Sequence, residues 1–169
     1  MRLVAERLTR EAFAPFGHLL SGTDLPPRLV NEGRATRRDL ASFRASSGRA
    51  VLARYDVTGS TLPVRVMLLE RHTESDQAFF ALDGAAALVV VSGAAADGTP
   101  DIPSARAFIA RPQTPFLYSP GTWHAPLFAL GDGGAFLMAM QETGTPADCE
   151  TFELDAPLVV EGSWDAGIG

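Results

Sequence analysis

Short runs in which apolar and polar residues alternate cover most of this chain, and Gly, Pro and Asp separate them. Alternation with a period of two is typical of strands with one buried face. Only Thr9–Phe13 favours a helix, because Thr9 is a suitable N-cap residue. The pattern predicts strands at Arg2–Leu8, Arg49–Val57, Val64–Arg71, Phe79–Leu82, Ala86–Ser92, Arg106–Ala110, Phe116–Tyr118, Ala125–Leu130 and Ala135–Gln141.

Turn residues separate these strands and indicate the fold class. Asp83-Gly84 favours a tight hairpin, and a Gly-rich turn at 131–134 separates the last two predicted strands. Many short strands with no long helix predict an all-β barrel or sandwich. We expect a single domain over residues 1–169, in which the polar segment Gly22–Arg38 forms a covering or mobile loop.

Composition excludes some classes of partner. The chain is 46% hydrophobic and 20% charged, as globular proteins are. Its 14 basic and 20 acidic residues give a net charge of -6, so we expect no nucleic-acid partner. The sequence contains no Lys, so an anionic ligand would need an arginine or backbone amides.

The single cysteine and the apolar runs bear on location. Cys149 has no partner for an internal disulfide, which fits a reducing compartment, and acidic neighbours on both sides disfavour its thiolate. Glu6 and Arg7 interrupt any early apolar region, so no signal peptide is indicated. The longest apolar stretch, Ala85–Val91, is far shorter than the ~20 residues that cross a bilayer. We therefore expect a cytoplasmic protein with no membrane partner.

The segment Leu69–Gly84 carries the most informative polar residues. Glu70 and His72 lie two apart on a predicted strand and would share one face. The polar run Thr73–Asp76 then turns the chain, and Gln77 opens the next strand.

A second polar motif follows in Ser119–Phe128, where a turn at Gly121 leads to His124. If the two motifs meet inside a barrel, His124 joins Glu70 and His72 in one polar pocket. Two imidazoles and a carboxylate suit a divalent metal such as nickel, zinc or iron. Three structural alternatives remain open for these residues. His72 could be only a turn residue, Glu70 could pair with an arginine on a neighbouring strand, and His124 could be a buried hydrogen-bonded imidazole beneath Trp123.

The two motifs resemble those of cupin barrels. In the first cupin motif His-x-His precedes a Glu and a closing Gly, and the second ends in Gly-x-x-His. The corresponding residues here are Glu70-x-His72, Gln77 and Gly84, and then Gly121-Thr-Trp-His124. The neutral Gln77 is a poor metal ligand, which weakens the metal hypothesis.

Nearly the whole chain resembles the ureidoglycolate lyase family. The central matches are Leu69–His72, Gln77–Phe79, Gly84, Val89–Val91 and Trp123–Phe128; further matches are Phe13, Gly17, Asn31-x-Gly33, Asp39-Leu40, Leu62-Pro63 and Arg106–Ile109. The resemblance implies a cupin-like β-barrel, usually a homodimer, that splits ureidoglycolate into glyoxylate and urea.

The reaction implied by this resemblance needs a base for the hydroxyl proton and an acid for the departing nitrogen. His72 or His124 can transfer protons near neutral pH, and Glu70 could orient an imidazole or act as the base. The amide of Gln77 could donate to a substrate oxygen.

The substrate is a small anion, and the early segment holds groups that could bind it. Arg34, Arg37 and Arg38 could clamp its carboxylate, and Asn31 lies in the same part of the chain. Arg71 alternates away from the Glu70 face, so we assign it no role.

Departures from the family pattern keep other functions open. Ala125 stands where members commonly have a second His, Arg38 where many have a His, and Met140–Glu142 where an Asp-Arg pair is common. A divergent paralogue, or a protein that binds a small oxo- or hydroxy-acid without turnover, is therefore an alternative. A metal-dependent cupin dioxygenase or isomerase is less favoured, because His-x-His is absent.

Overall fold

The computed structural model describes residues 1–22, 25–43 and 48–164, so the end of the expected single domain, 165–169, lies outside the described residues. Within the described part, one α-helix, α1, spans Arg10–Phe13. The strands are β1 Arg2–Val4, β2 Glu6–Arg7, β3 Gly17–Leu19, β4 Arg28–Val30, β5 Ala35–Arg37, β6 Arg49–Ser60, β7 Val64–Arg71, β8 Gln77–Ala81, β9 Ala87–Ser92, β10 Arg106–Ala110, β11 Phe116–Tyr118, β12 Trp123–His124, β13 Phe128–Leu130, β14 Gly133–Glu142 and β15 Glu150–Glu161. No described helix is long and apolar enough to span a membrane.

Thirteen of these strands form one curled sheet, which is a cupin-like barrel and confirms the all-β prediction. One half runs β1-β15-β7-β12-β9-β13, with β10 pairing β9 and β2. The other half runs β6-β14-β8-β11-β3. The parallel pairing of β13 with β6 joins the halves, and the ten-residue antiparallel pairing of β14 with β6 is the longest in that second half.

Apolar side chains fill the barrel between the two halves. All six residues of strand β9 are buried, which explains why its sequence is almost continuously apolar. Val89 and Val91 face the lumen of the barrel, and Leu88 and Val90 pack into a second cluster on the other side of the sheet. A strand buried on both faces loses the polar alternation of a half-buried one.

The short helix α1 places an aromatic side chain deep in the lumen. Thr9 caps it by accepting a hydrogen bond from the Ala12 amide at 3.2 Å, as predicted. Phe13 is fully buried and contacts the rings of Phe108, Phe116 and Tyr118 at centroid distances of 5.9 to 6.2 Å.

Glycine at position 17 permits the chain to pass close to β11 just after α1. A Cβ atom there would lie 1.9 Å from the Leu117 carbonyl oxygen, so no other residue fits without a backbone shift. Gly17 also pairs with Tyr118 in the antiparallel β3–β11 ladder. The close approach therefore holds β3 beside β11, the strand that carries Tyr118.

Several predictions about individual elements were wrong. The strand predicted at Arg2–Leu8 is divided into β1 and β2. The loop predicted at Gly22–Arg38 contains the β4–β5 hairpin, although Thr23 and Asp24 lie outside the described residues. Strand β15 was not predicted, because Pro157 interrupts its alternation and an irregularity in its pairing with β7 lies between Glu153 and Leu158.

Candidate active site

A change in the alternation along β7 turns Glu70 into the lumen. Val64 and Val66 are buried in the second cluster, and strict alternation from Val66 would put Glu70 on that same side. Instead Leu69 occupies the cluster, and Glu70 faces the lumen. The alternation of β7 shifts between Val66 and Leu68, opposite the irregular part of β15 between Glu153 and Leu158. This irregular pairing therefore directs the side chain of Glu70 into the lumen.

His124 lies directly across from Glu70 in the pairing of β12 with β7. Its Nε2 atom is 3.6 Å from a carboxylate oxygen of Glu70, and its side chain is 2% exposed. Its Nδ1 atom lies 2.9 Å from the Thr122 carbonyl oxygen. Because a carbonyl can only accept, Nδ1 carries the proton and the Nε2 lone pair is free. The Tyr118 ring stacks on the imidazole at 4.1 Å, with planes 16° apart.

His72 follows β7 and is held by two backbone contacts. Its Nδ1 atom lies 2.5 Å from the Asp148 carbonyl oxygen, which again leaves Nε2 as the free lone pair. Its own carbonyl accepts from the Gly121 amide at 2.8 Å, so the two sequence motifs are joined through the backbone. Gly121 has φ +80°, a conformation that favours glycine. The centroids of the His72 and His124 rings are 5.3 Å apart, and the predicted meeting of the two motifs is confirmed.

Three acceptor atoms in this region are buried without a hydrogen-bond partner: His72 Nε2, His124 Nε2 and Gln77 Oε1. Buried polar atoms are nearly always paired, so three such atoms together point to a ligand. One ligand atom each from Glu70, His72 and His124 lies within 4.8 Å of the others. Imidazoles fixed through Nδ1–H to carbonyls are also the usual arrangement of metal-binding histidines. The three side chains therefore fit either a divalent metal or a site of proton transfer.

The ionisation of these groups follows from burial and from their mutual contacts. Burial alone would raise the pKa of Glu70, but the contact with His124 and the nearby His72 outweigh burial and lower it. Burial is the main cause that lowers the pKa of His72, and His124 adds to this effect. Burial raises the pKa of Tyr118 far above its ordinary value. A charged carboxylate thus faces a neutral His72 imidazole and a neutral phenol.

Gln77 lies on β8, in the other half of the sheet from Glu70 and His124, and its side chain faces the lumen. It pairs with Tyr118 of β11 on one side and with Met140 of β14 on the other. Its Nε2 atom donates to the Met140 sulfur at 3.7 Å, and its Oε1 atom is the buried acceptor without a partner. The amide was expected to donate to substrate, but its donor is directed at the sulfur.

The structure places the predicted carboxylate-binding residues away from this cluster. Asn31 and Arg34 are exposed in the turn of the β4–β5 hairpin, where Asn31 has φ 54° and Arg34 contacts Glu32 at 3.4 Å. Arg38 follows the hairpin and donates from Nε to the Leu25 carbonyl oxygen at 3.1 Å. Their role in binding substrate stays a prediction.

The structure bears on two of the three structural alternatives, those for Glu70 and His124. No described arginine pairs with Glu70, whose contacts are His124 and Cys149. His124 is hydrogen-bonded as that alternative supposed, but it packs on Tyr118 rather than beneath Trp123. Arg71 points away from Glu70, as predicted, since its guanidinium pairs with Glu150 at 2.6 Å and lies over Trp123 at 4.6 Å from the ring centroid.

Two neighbours of the cluster were not recognised in the sequence. Tyr118 belonged to a correctly predicted strand, but nothing local indicated that it stacks on His124. Cys149 was recognised only as a lone thiol, yet its Sγ atom lies 3.9 Å from Glu70 Oε2. Burial, followed by the charge of Glu70, raises the pKa of the Cys149 thiol, so it stays protonated and is a weak nucleophile.

Replacing Cys149 by serine is expected to leave turnover nearly unchanged, because a hydroxyl keeps a neutral donor beside Glu70. The measurement is kcat/KM of Cys149→Ser against wild type. A large loss of rate in a variant with normal melting temperature would show that the thiol itself takes part in the reaction.

Comparisons with known proteins agree with the motifs. The profile of the family described as ureidoglycolate lyase matches residues 1–161. The chain belongs to the ureidoglycolate lyase family. It is 39% identical to a ureidoglycolate lyase of Rhodobacter capsulatus, over 95% of this chain and 99% of that one. It is 33% identical to a ureidoglycolate lyase of Burkholderia cepacia, over 94% and 90% of the two chains.

Solved structures similar to this family member include sugar isomerases. A dTDP sugar isomerase from Desulfovibrio desulfuricans gives a TM-score of 0.47 at 19% identity, covering 83% of this chain and 84% of that chain. A 3,4-ketoisomerase from Helicobacter canadensis gives a TM-score of 0.44 at 15% identity, covering 78% and 87%.

Proposed function

We propose that this chain is a lyase that eliminates urea from ureidoglycolate and releases glyoxylate. The observation that carries the proposal is the pair of buried imidazoles, each with a free Nε2 lone pair, beside the carboxylate of Glu70. Family membership over residues 1–161 supplies the substrate. Relatives of nearly equal length are named for the same activity.

The elimination moves one proton within the substrate. The hydroxyl O–H bond breaks and the carbonyl of glyoxylate forms, while the C–N bond breaks and the nitrogen of urea gains a proton. A single imidazole can take the hydroxyl proton and return it to the nitrogen, because the protonated base becomes the acid. We assign this transfer to His124, whose free Nε2 faces the lumen, with His72 lining the other side.

Glu70 supports this transfer as a fixed negative charge. Its pKa is lowered, so it remains a carboxylate, and it lies 3.6 Å from His124 Nε2. A nearby carboxylate stabilises the imidazolium that forms when His124 takes the proton. Positioned acid–base groups typically contribute about 10²–10⁴-fold to rate.

The substrate carboxylate needs a cation that the described lumen does not supply, since none of the described arginines is fully buried. We therefore keep Arg34 and Arg38, with Asn31, as the proposed carboxylate-binding residues. A movement of the β4–β5 hairpin, or the hairpin of a second subunit, would bring them to the pocket. Arg38→Ala is expected to raise KM more than it lowers kcat.

Glu70, His72 and His124 are also proposed as ligands of a divalent metal such as nickel. Two imidazoles and a carboxylate are a suitable ligand set for first-row metals, and the two free Nε2 atoms favour it. A metal bound there would supply a Lewis acid for the substrate oxygens. Elemental analysis of the purified protein distinguishes this use from metal-free proton transfer, and His124→Ala would then lower metal content together with activity.

The proposed activity is tested by incubating purified protein with each enantiomer of ureidoglycolate and quantifying glyoxylate and urea. Equal amounts of the two products, formed faster than in the spontaneous reaction, are expected. Binding of ureidoglycolate without product would instead favour the small oxo- or hydroxy-acid binding protein.

We also propose that the chain acts as a homodimer in the cytoplasm. Leu52 on β6 and Leu82 just after β8 are 71% and 50% exposed, and exposed apolar side chains are frequent in surfaces that pair with another copy. The lone Cys149 fits a reducing compartment. Light scattering coupled to size-exclusion chromatography measures the oligomeric state, and Leu52→Glu is expected to weaken the dimer.

A further inference from the structure

The lumen presents hydrogen-bond acceptors to a ligand. The three buried atoms without partners are two imidazole nitrogens and the Oε1 atom of Gln77, and the carboxylate of Glu70 lies beside the imidazoles. Such a lining favours a ligand group rich in N–H and O–H donors and disfavours a carboxylate. A substrate bound there turns its donors inward and its carboxylate outward.

The orientation of the Gln77 amide is set by a residue far away in sequence. Its Nε2 atom contacts the Met140 sulfur at 3.7 Å. A thioether sulfur accepts hydrogen bonds weakly and donates none, so only the orientation with Nε2 toward sulfur is favourable. This contact therefore keeps Oε1 as the free acceptor.

Gln77 is separated from His124 by Tyr118, which is a neighbour of both residues. It is paired with Tyr118 across one strand spacing, roughly 4.8 Å, and Tyr118 stacks on His124. When the substrate hydroxyl is at His124, the ureido group can reach toward Gln77. Its terminal NH₂ is the donor-rich end of the molecule.

Building on the proposed lyase function, we propose that Gln77 Oε1 accepts an N–H hydrogen bond from the terminal NH₂ of the ureido group. Gln77 is then the residue that selects a urea-bearing carbinolamide over one bearing another amide. Met140 is its positioning residue.

The test compares ureidoglycolate with 2-acetamido-2-hydroxyacetate, in which a methyl group replaces the terminal NH₂. Both release glyoxylate, so one assay gives kcat/KM for each. The wild-type protein is expected to prefer ureidoglycolate, because the analogue leaves the buried Oε1 without a donor. Gln77→Leu is expected to reduce this preference roughly 10- to 100-fold. Met140→Leu keeps the side-chain volume but removes the sulfur, and it is expected to reduce the preference to a smaller extent.

Val4→Ala, at a side chain that is 69% exposed on β1, is the control and is expected to keep the wild-type preference. An equal loss on both substrates in Gln77→Leu, or an unchanged preference, overturns the assignment while leaving the lyase function intact. A wild-type protein that releases no glyoxylate from ureidoglycolate overturns the proposed function and this assignment with it. The preference is a ratio measured on one protein sample, so partial misfolding of a variant does not imitate the expected result.

Discussion

Replacing His124 by alanine is expected to lower kcat/KM for ureidoglycolate by about 10²–10⁴-fold, because it removes the group that carries the proton from oxygen to nitrogen. The Nε2 atom of His124 has no hydrogen-bond partner in the protein, so its removal breaks no bond on that side of the ring. Steady-state rates of glyoxylate release measure the effect.

The chain offers a matched control in His18, the remaining histidine, which is exposed on β3. His18→Ala is expected to retain wild-type rates. Full activity of His124→Ala together with a lowered melting temperature would assign His124 a purely structural role. His124→Gln is a further check, because glutamine fills more of the space beside Tyr118 than alanine does but has no basic nitrogen.

Replacing Phe13 by alanine is expected to reduce the free energy of unfolding by about 3–5 kcal/mol, as large truncations in a core do. Phe13 is fully buried, and its ring contacts Phe16, Phe108, Phe116 and Tyr118. The cavity left by the ring would open between α1 and the strands, which are close-packed there. Denaturant unfolding followed by circular dichroism measures the change.

Activity should also fall in Phe13→Ala, because Phe13 supports the Tyr118 ring that stacks on His124. Val4→Ala, at a side chain that is 69% exposed, is the control and is expected to stay within about 0.5 kcal/mol of wild type. A Phe13→Ala protein as stable as wild type would show that α1 contributes little to the closure of the barrel.

Local patterns predicted most of the strands well, because alternation and turn residues act within a few positions of each other. The capped helix after Thr9 is of this kind and is found in the structure. The hairpin predicted at Asp83-Gly84 was wrong, because β8 pairs with β11 and β14 while β9 pairs with β10, β12 and β13. The local turn signal marked a change of direction, with Gly84 at φ +84°, but it could not show which strands pair. Strand β15 was missed for a physical reason. Pro157 counts against a strand in a propensity argument, but it lies between Glu153 and Leu158, where the pairing of β15 with β7 is irregular and a proline is tolerated.

The sequence by itself determined an all-β fold, a family and the identity of the three central side chains, because residue types and their short spacings carry that information. Only the tertiary structure decided how those side chains are used. The irregular pairing with β15 turns Glu70 inward, two backbone carbonyls free the Nε2 atoms of both histidines, and Met140 orients Gln77. Apart from the contact of His124 with Thr122, two residues away, these contacts join segments that are far apart in the sequence, so they become defined only when the barrel closes.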